Sequence, residues 1–460
     1  MEQVLKYSKN SNENPCHMCM PMGAILPFKG IAGAMVIIHG SQGCSTYMRR
    51  HIAEHFNEPV DVGSSSLNEK GTIYGGEKNL KQGLDNIRRV YNPQIIGVLT
   101  SCLAETIGED IERITAEYRK SNELVDYPIV PVPTPGYGGT HTEGYLLAVR
   151  QIISQLAAPT ASHNKINIII PHLSTADIRE LKRLFALMDI EYTLCPDFSD
   201  TLDSGIARQY KKIPEGGTAL KDIRSMPGAP ATIQLGVTMQ EELSPGQYLS
   251  DNFGVPLYNI PIPIGVENTD IFFRTLTSIT GKGIPDCILQ ERGRLLDAMV
   301  DSHKYNFAGR SVVYGEPEIV YSVTKTCVEN GVFPAVVATG SPNPKLAKLL
   351  EPLFAQYHRK VVILSEADFV EIRHKCVELK VNIAIGHSDG KYLTEREGIP
   401  LVRLGFPIHD RVGGQRLMSI GYTGTTVLLD RITNTLLEAK YGNYRRTMYE
   451  QYYKPATVMP

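Results

Sequence analysis

Short apolar runs that stop at glycine or just before cysteine, with helical patterns between them, constrain this chain more than any other feature. Ala34-Met-Val-Ile-Ile runs out at Gly40 and Ile95-Ile-Gly-Val-Leu runs out ahead of Cys102, with a helical spacing of Leu80, Leu84 and Ile87 between them. Runs this short and without polar alternation suit strands buried on both faces, and strands that alternate with helices build parallel βαβ units. A helix expected from about Glu105 to Lys120 leads to Ile129-Val-Pro-Val. The pattern breaks at Ala157–Asn164, then resumes with Ile166-Asn-Ile-Ile-Ile, a helix from Asp177 to Met188, a strand near Tyr192, Ala231-Thr-Ile-Gln-Leu and Pro256-Leu-Tyr-Asn-Ile. A long amphipathic helix from Glu291 to Lys304 leads into a third series, Ser311-Val-Val-Tyr, Ala335-Val-Val-Ala, Val361-Val-Ile-Leu, Ile383-Ala-Ile-Gly and Leu401-Val-Arg-Leu. The expected fold class is therefore α/β, with three parallel-sheet units. Their expected bounds are 1–158 with an N-terminal arm, 159–308, and 309–460 with a C-terminal helical tail, and 460 residues suit about three domains.

A formal charge of −2 and a pI near 6.6 supply no basic field for nucleic acid or an anionic membrane. No apolar run approaches the roughly 20 residues of a membrane span, and the polar start from Met1 to Asn10 lacks the core of a secretory signal. A cytoplasmic protein is expected. In that reducing setting the eight cysteines are either small buried apolar residues or ligands rather than disulfides.

Ligands of parallel sheets bind beyond the carboxyl ends of the strands. Cys44, in His39-Gly-Ser-Gln-Gly-Cys, and Cys102, in Leu99-Thr-Ser-Cys, both occupy that position, and Cys19 can join them from the arm before the first strand. Thiolates are the soft anionic ligands of iron–sulfur clusters, and glycine or proline beside each cysteine lets backbone approach a bulky cluster. The competing reading of Cys44 and Cys102 is ordinary burial. Cys16-His-Met-Cys19 stays open between part of a cluster site, a zinc half-site completed by Cys44 and His39, and a structural pair. Cys195, Cys287, Cys327 and Cys376 fall within strand or helix patterns and are expected to be ordinary buried cysteines. The loops Tyr74-Gly-Gly-Glu and Gly138-Gly-Thr-His read as turns, and nothing matches a phosphate-binding glycine fingerprint. His387 reads as a satisfied loop histidine before it reads as a ligand contact, Gly405-Phe-Pro-Ile-His-Asp-Arg411 as a buried turn with an interface arginine, and the Tyr- and Arg-rich tail after Tyr441 as the end of a helix that packs on this chain or on a partner.

At these residues the chain resembles the component 1 proteins of the nitrogenase family, in their β-type subunit. The stretches that carry the resemblance are Cys19-Met-Pro-Met-Gly-Ala, His39-Gly-Ser-Gln-Gly-Cys44, His55-Phe-Asn-Glu-Pro, Tyr74-Gly-Gly-Glu-Lys-Asn, Cys102-Leu-Ala-Glu-Thr-Ile-Gly-Glu-Asp, Glu291-Arg-Gly-Arg-Leu-Leu-Asp, Gly405-Phe-Pro-Ile-His-Asp-Arg and Gly421-Tyr-Thr-Gly. The resemblance implies three Rossmann-like domains, an oxidoreductase complex, and pairing with a homologous α-type subunit in an α2β2 assembly. It implies that Cys19, Cys44 and Cys102 are the β-side ligands of an iron–sulfur cluster shared with that subunit, an 8Fe-7S P-cluster with 4Fe-4S as the alternative. Such a cluster relays electrons from an ATP-dependent iron protein to a cofactor in the α-type subunit, and Tyr74 falls on the surface where the iron protein docks.

Two departures qualify the implied function. The family's β-type serine in its Thr-Pro-Ser-Phe loop is Gly136 here, and Cys16 is additional. The α-type cofactor ligands have no counterpart, with His409 near but out of register, so no catalytic residue is expected. The implied substrate is dinitrogen or, in a nitrogenase-like relative such as a methylthio-alkane reductase, a carbon–sulfur bond. The alternative is a non-catalytic scaffold subunit for cofactor assembly, against which the retention of all three cysteines counts.

Overall fold

A computed structural model describes residues 14–124, 126–206, 209–355, 357 and 359–453 of the chain. The polar start from Met1 to Asn10 and the last residues of the tail lie outside them. The described strands form three sheets, parallel throughout. The first contains β1 (Ala34–His39), β2 (Gly63–Ser64), β3 (Ile95–Thr100) and β4 (Ile129–Val132) in the order β2-β1-β3-β4. The second contains β5 (Ile166–Ile169), β6 (Tyr192–Cys195), β7 (Thr232–Leu235) and β8 (Leu257–Ile260) in the order β6-β5-β7-β8. The third contains β9 (Arg310–Gly315), β10 (Phe333–Thr339), β11 (Val362–Leu364), β12 (Ile383–Gly386) and β13 (Leu401–Arg403) in the order β11-β10-β9-β12-β13.

In each sheet the chain starts on an inner strand, builds outward, then returns to the other side of its first strand, which opens a crevice at the reversal point. In the first sheet that crevice lies between β1 and β3, which pair in register from Ala34 with Ile95 to His39 with Thr100. Both strands are buried along their whole length, which is why they read as uninterrupted apolar runs. The period of two still sorts their side chains: Met35 and Ile37 pack with Leu80, Leu84 and Ile87 on one face, and Val36 and Ile38 join Phe28, Ile52 and Tyr145 on the other.

The helix Met20–Lys29 is buried from Met20 to Phe28 and lies against the helix His141–Leu156. Two glycines permit that approach. A Cβ at Gly23 would fall 1.7 Å from the carbonyl oxygen of His141, and one at Gly144 would fall 2.0 Å from that of Met20. The close packing holds the residue before the first helix, Cys19, against the loop that follows β4.

The helix expected from Glu105 to Lys120 is two helices, Cys102–Thr106 and Ile111–Ser121. Between them Gly108 takes a φ of +78°, which costs glycine nothing, and Asp110 starts the second helix by accepting from the backbone N–H of Arg113. The helix Asp286–Asn306 packs along Gly421–Tyr452. The last turns of Gly421–Tyr452 carry exposed Tyr441, Tyr444, Tyr449 and Tyr452, so the expected packing of the tail is not made with this chain's described residues. Cys195, Cys327 and Cys376 are buried as expected, whereas Cys287 is exposed, one residue into the helix Asp286–Asn306. Among the described residues no helix is long and apolar enough to cross a membrane.

Candidate functional site

Three helix starts bring Cys19, Cys44 and Cys102 to the crevice between β1 and β3. Cys19 immediately precedes the helix Met20–Lys29 and bridges to Thr140. Cys44 is the third residue of the helix Gln42–Phe56 that follows β1, and Cys102 is the first residue of the short helix that follows β3. The approach of β1 and β3 at this end depends on Gly40, where a Cβ would meet the Ser101 hydroxyl at 2.2 Å.

A fourth element closes over the sulfurs. Gly136, in the loop after β4, donates its backbone N–H to Cys102 Sγ at 3.1 Å. A Cβ on Gly136 would lie 2.9 Å from Cys19 Sγ and 3.0 Å from Cys102 Sγ, so the two sulfurs and the loop share one small space that glycine keeps open. Burial, with Cys102 and Cys44 acting in the same direction, pushes the Cys19 thiol up to about 11. Thiolates placed together in this way need a cationic partner to stay ionised. Cys19 and Cys44 are half-buried and Cys102 is exposed, so the set forms a half-open cradle on the surface. Among the described residues no group of three or more His, Cys, Asp or Glu side chains forms a site for a metal ion within this chain.

The loop with Gly136 is fixed by a short relay. Glu105 Oε1 accepts from Thr100 Oγ1 at 2.6 Å, and Thr100 Oγ1 accepts from the N–H of Thr134 at 2.7 Å. Beside it Glu109 Oε1 accepts from the N–H of Gly76 at 2.6 Å, while Oε2 meets His39 Nε2 at 3.2 Å. The other ring nitrogen of His39 contacts Ser65 Oγ at 2.9 Å, so both nitrogens of this candidate zinc ligand are already engaged. Glu109 therefore ties the end of β1 to the loop after Tyr74, which stands 81% exposed next to Ile73 at 73%. Sequence reading found the motif that contains Glu105 and Glu109 but gave neither carboxylate a role, because their partners come from strands distant in sequence.

Cys16 is not brought together with the other three. Its Sγ lies 3.6 Å from His387 Nε2, among Tyr314 and Phe369 in the core of the third sheet. The arm is pinned there by the N–H of Cys16 on the carbonyl of Ala367 and the N–H of Phe369 on the carbonyl of Asn14. Burial raises the Cys16 thiol well above its ordinary value, with Asp389, Glu316 and Asp368 adding to the rise. His387 is buried as expected, with its Nε2 against Cys16 Sγ, but it is not fully satisfied: its Nδ1 lies 3.3 Å from Asp389 Oδ2 without forming a hydrogen bond among the described residues. Cys16→Ala is expected to lower stability by roughly 1–2 kcal/mol, from a lost packed sulfur and hydrogen bond. Thermal denaturation of the variant checks this, and an unchanged melting temperature would mean that the buried sulfur adds nothing to the packing of the third sheet.

A second polar centre, unforeseen in the sequence, lies where the carboxyl ends of the three sheets meet. His141 starts the helix after β4, His172 follows β5 and Glu316 follows β9. Glu316 Oε1 is 3.0 Å from His141 Nε2 and 3.5 Å from His172 Nδ1. Burial raises the Glu316 carboxyl, but the hydrogen bonds from the two histidines outweigh it and hold the group well below its usual range. Met18 donates its N–H to His141 Nδ1 at 3.1 Å, which leaves Nε2 as the protonated nitrogen that faces Glu316. Since Met18 is the neighbour of Cys19, the junction is coupled directly to the cysteine cradle.

Residues 19–437 match the family model described as nitrogenase component 1 type oxidoreductase. The chain is 36% identical over 430 residues to the nitrogenase molybdenum-iron protein beta chain of Clostridium pasteurianum, covering 92% of this chain and 93% of that one. It is 36% identical over 451 residues to the protein of the same name from Methanococcus maripaludis, covering 95% and 97%. A solved structure described as nitrogenase Cp1 at pH 6.5 superposes with a TM-score of 0.91 at 34% identity, over 98% of both chains.

Proposed function

The chain belongs to the nitrogenase component 1 type oxidoreductases, as a β-type subunit, and from that premise we propose that Cys19, Cys44 and Cys102 hold this subunit's half of an iron–sulfur cluster shared with a homologous α-type subunit. The observation that carries the reading is the half-open cradle: three cysteines at one sheet edge, an N–H donor on Cys102 Sγ, and a glycine without which the space would close. A cradle open at the surface and short of ligands for a closed site suits a cluster of 8Fe-7S type completed by the partner, ahead of a 4Fe-4S centre. When bound, the cluster supplies reversible one-electron storage and transfer. This chain's part is to ligate it through three sulfurs, to aim the Gly136 N–H at Cys102, and to cover one side from water.

The complex so formed is an α2β2 assembly in the cytoplasm that reduces dinitrogen with electrons from an ATP-dependent iron protein, and the names of the relatives support that substrate. Gly136, in place of the family's serine, leaves room for methylthio-alkane reduction as a second reading, and a cofactor-assembly scaffold is the alternative that keeps the fold without the turnover. The exposed tip of Ile73 and Tyr74 is the docking surface for the iron protein, linked by Glu109 to the end of β1. Tyr74→Ala should leave stability unchanged and weaken reductase-dependent turnover severalfold; unaltered titration with the reductase would remove Tyr74 from that surface.

The test is anaerobic purification with the α-type partner, followed by iron counting, EPR and assay for ammonia from dinitrogen. An eight-iron bridging centre with turnover is expected. A four-iron centre without turnover would favour the scaffold, and a colourless complex that contains only zinc would overturn both. Cys44→Ala should lose most of the bridging iron, and an intact centre in that variant would refute the ligand assignment.

A further inference from the structure

The junction of the three sheets holds polar atoms that nothing in the chain satisfies. Glu316 Oε2, His172 Nε2 and Thr142 Oγ1 are all buried and have no hydrogen-bond partner among the described residues. Glu316 is only 7% exposed and His172 only 9%. An unpaired buried polar atom costs about 1–3 kcal/mol, and three of them on side chains that line one cavity call for a ligand rather than for tolerance of the cost. All three side chains line the same cavity, together with Leu26, Pro171 and Ile319.

Size and hydrogen-bond chemistry then limit the occupant. The cavity admits the centre of a water-sized sphere over about 30 Å³, against the roughly 10–15 Å³ needed for one water. One or two water-sized molecules fit, and an organic ligand does not. Glu316 Oε2 is an acceptor and Thr142 Oγ1 can accept, while His172, with its Nδ1 3.5 Å from Glu316 Oε1, has Nε2 as its remaining polar atom. His141 is fixed as a neutral donor by the Met18 N–H on its Nδ1, so it brings no positive charge to balance the carboxylate.

We propose that this cavity is a binding site for a small hydrogen-bond donor of water's size, held by Glu316, His172 and Thr142 at the meeting point of the three sheets. Water and ammonium share that chemistry. The site is separate from the cysteine cradle, and its occupancy bears on Cys19 only through Glu316, His141 and the Met18 N–H.

The experiment is crystallography of the complete complex, at a resolution that shows buried waters elsewhere, from ammonium-free crystals, from crystals grown with ammonium chloride, and after a thallium(I) acetate soak. A peak about 3 Å from Glu316 Oε2 and His172 Nε2 is expected. If it is present without ammonium and gives no thallium anomalous signal, the donor is water; if it appears only with ammonium, or gives that signal, the donor is ammonium. A dry cavity under all three conditions overturns the proposal. Thr142→Val removes one acceptor at nearly constant volume and should lower the occupancy of the peak about twofold or more, and an unchanged peak in that variant would remove Thr142 from the site. Hydrogen exchange at the Met18 amide, faster in Thr142→Val than in the parent complex, is the expected second readout.

Discussion

Gly136→Val is expected to strip the bridging iron from the assembled complex while leaving the chain folded. The reason is a difference between the bare and the loaded cradle. Without metal, the atoms that a Cβ would meet at 2.9 and 3.0 Å are the sulfurs of Cys19 and Cys102, which are the free ends of side chains that can rotate away at little cost. Once iron fixes those sulfurs they cannot yield, and valine adds two further methyl groups to the same space. The backbone N–H of Gly136 would also be pushed off Cys102 Sγ, now 3.1 Å away, with loss of a hydrogen bond that stabilises charge on the thiolate. Changes beside a metal's ligands commonly cost 10–100-fold in affinity, so iron per complex should fall at least several-fold. The melting temperature of the metal-free chain should move little. Gly442→Ala, where a Cβ meets nothing within 4 Å, is the matched control. If Gly136→Val keeps its iron, the sulfurs of Cys19 and Cys102 do not bind the cluster from this side of the loop.

How far such a site is legible in a sequence depends on which interactions build it. β1 and β3 are buried on both faces, so their apolar runs alone announce strands, and the rule that ligands gather at the carboxyl ends of parallel strands puts Cys44 and Cys102 on one edge. Cys19 is already harder to place, because its position rests on Gly23 and Gly144 letting two helices touch, a contact between segments about 120 residues apart. Cys16 shows the limit. Three residues from Cys19 and in a ligand-like spacing, it is turned to another sheet by hydrogen bonds of Cys16 with Ala367 and of Asn14 with Phe369, which no local pattern encodes. Glu109 and Glu316 were illegible for the same reason: a carboxylate in a loop looks solvated until the fold supplies His39, His141 and His172. The break at Gly108 was readable in principle, since Gly-Glu-Asp is a helix stop followed by an N-cap, but the apolar spacing around it suits one continuous helix.

Glu316→Leu should be the most damaging single change outside the cradle. The two histidines would stay behind with their N–H groups facing a hydrocarbon, and each buried donor left without its acceptor costs about 1–3 kcal/mol. The loss falls on all three sheets at once, because His141, His172 and Glu316 each come from a different one. The pH dependence has a definite sign. The Glu316 carboxyl is held below its ordinary 4.5 in the folded chain, so its contribution is complete above about pH 4.5 and fades as pH falls towards the lower folded value. The parent complex should therefore lose stability on its acid limb more steeply than Glu316→Leu, and the two denaturation curves should converge at low pH. Glu316→Gln, which keeps an acceptor for His141 but no charge, should lie between them. The same lesion reaches the cradle, since His141 released from Glu316 no longer holds the Met18 N–H beside Cys19, and iron retention should fall along with stability. Parallel acid limbs in the parent and Glu316→Leu would mean that the carboxylate is not what the histidines hold, and that the three sheets are joined by apolar packing alone.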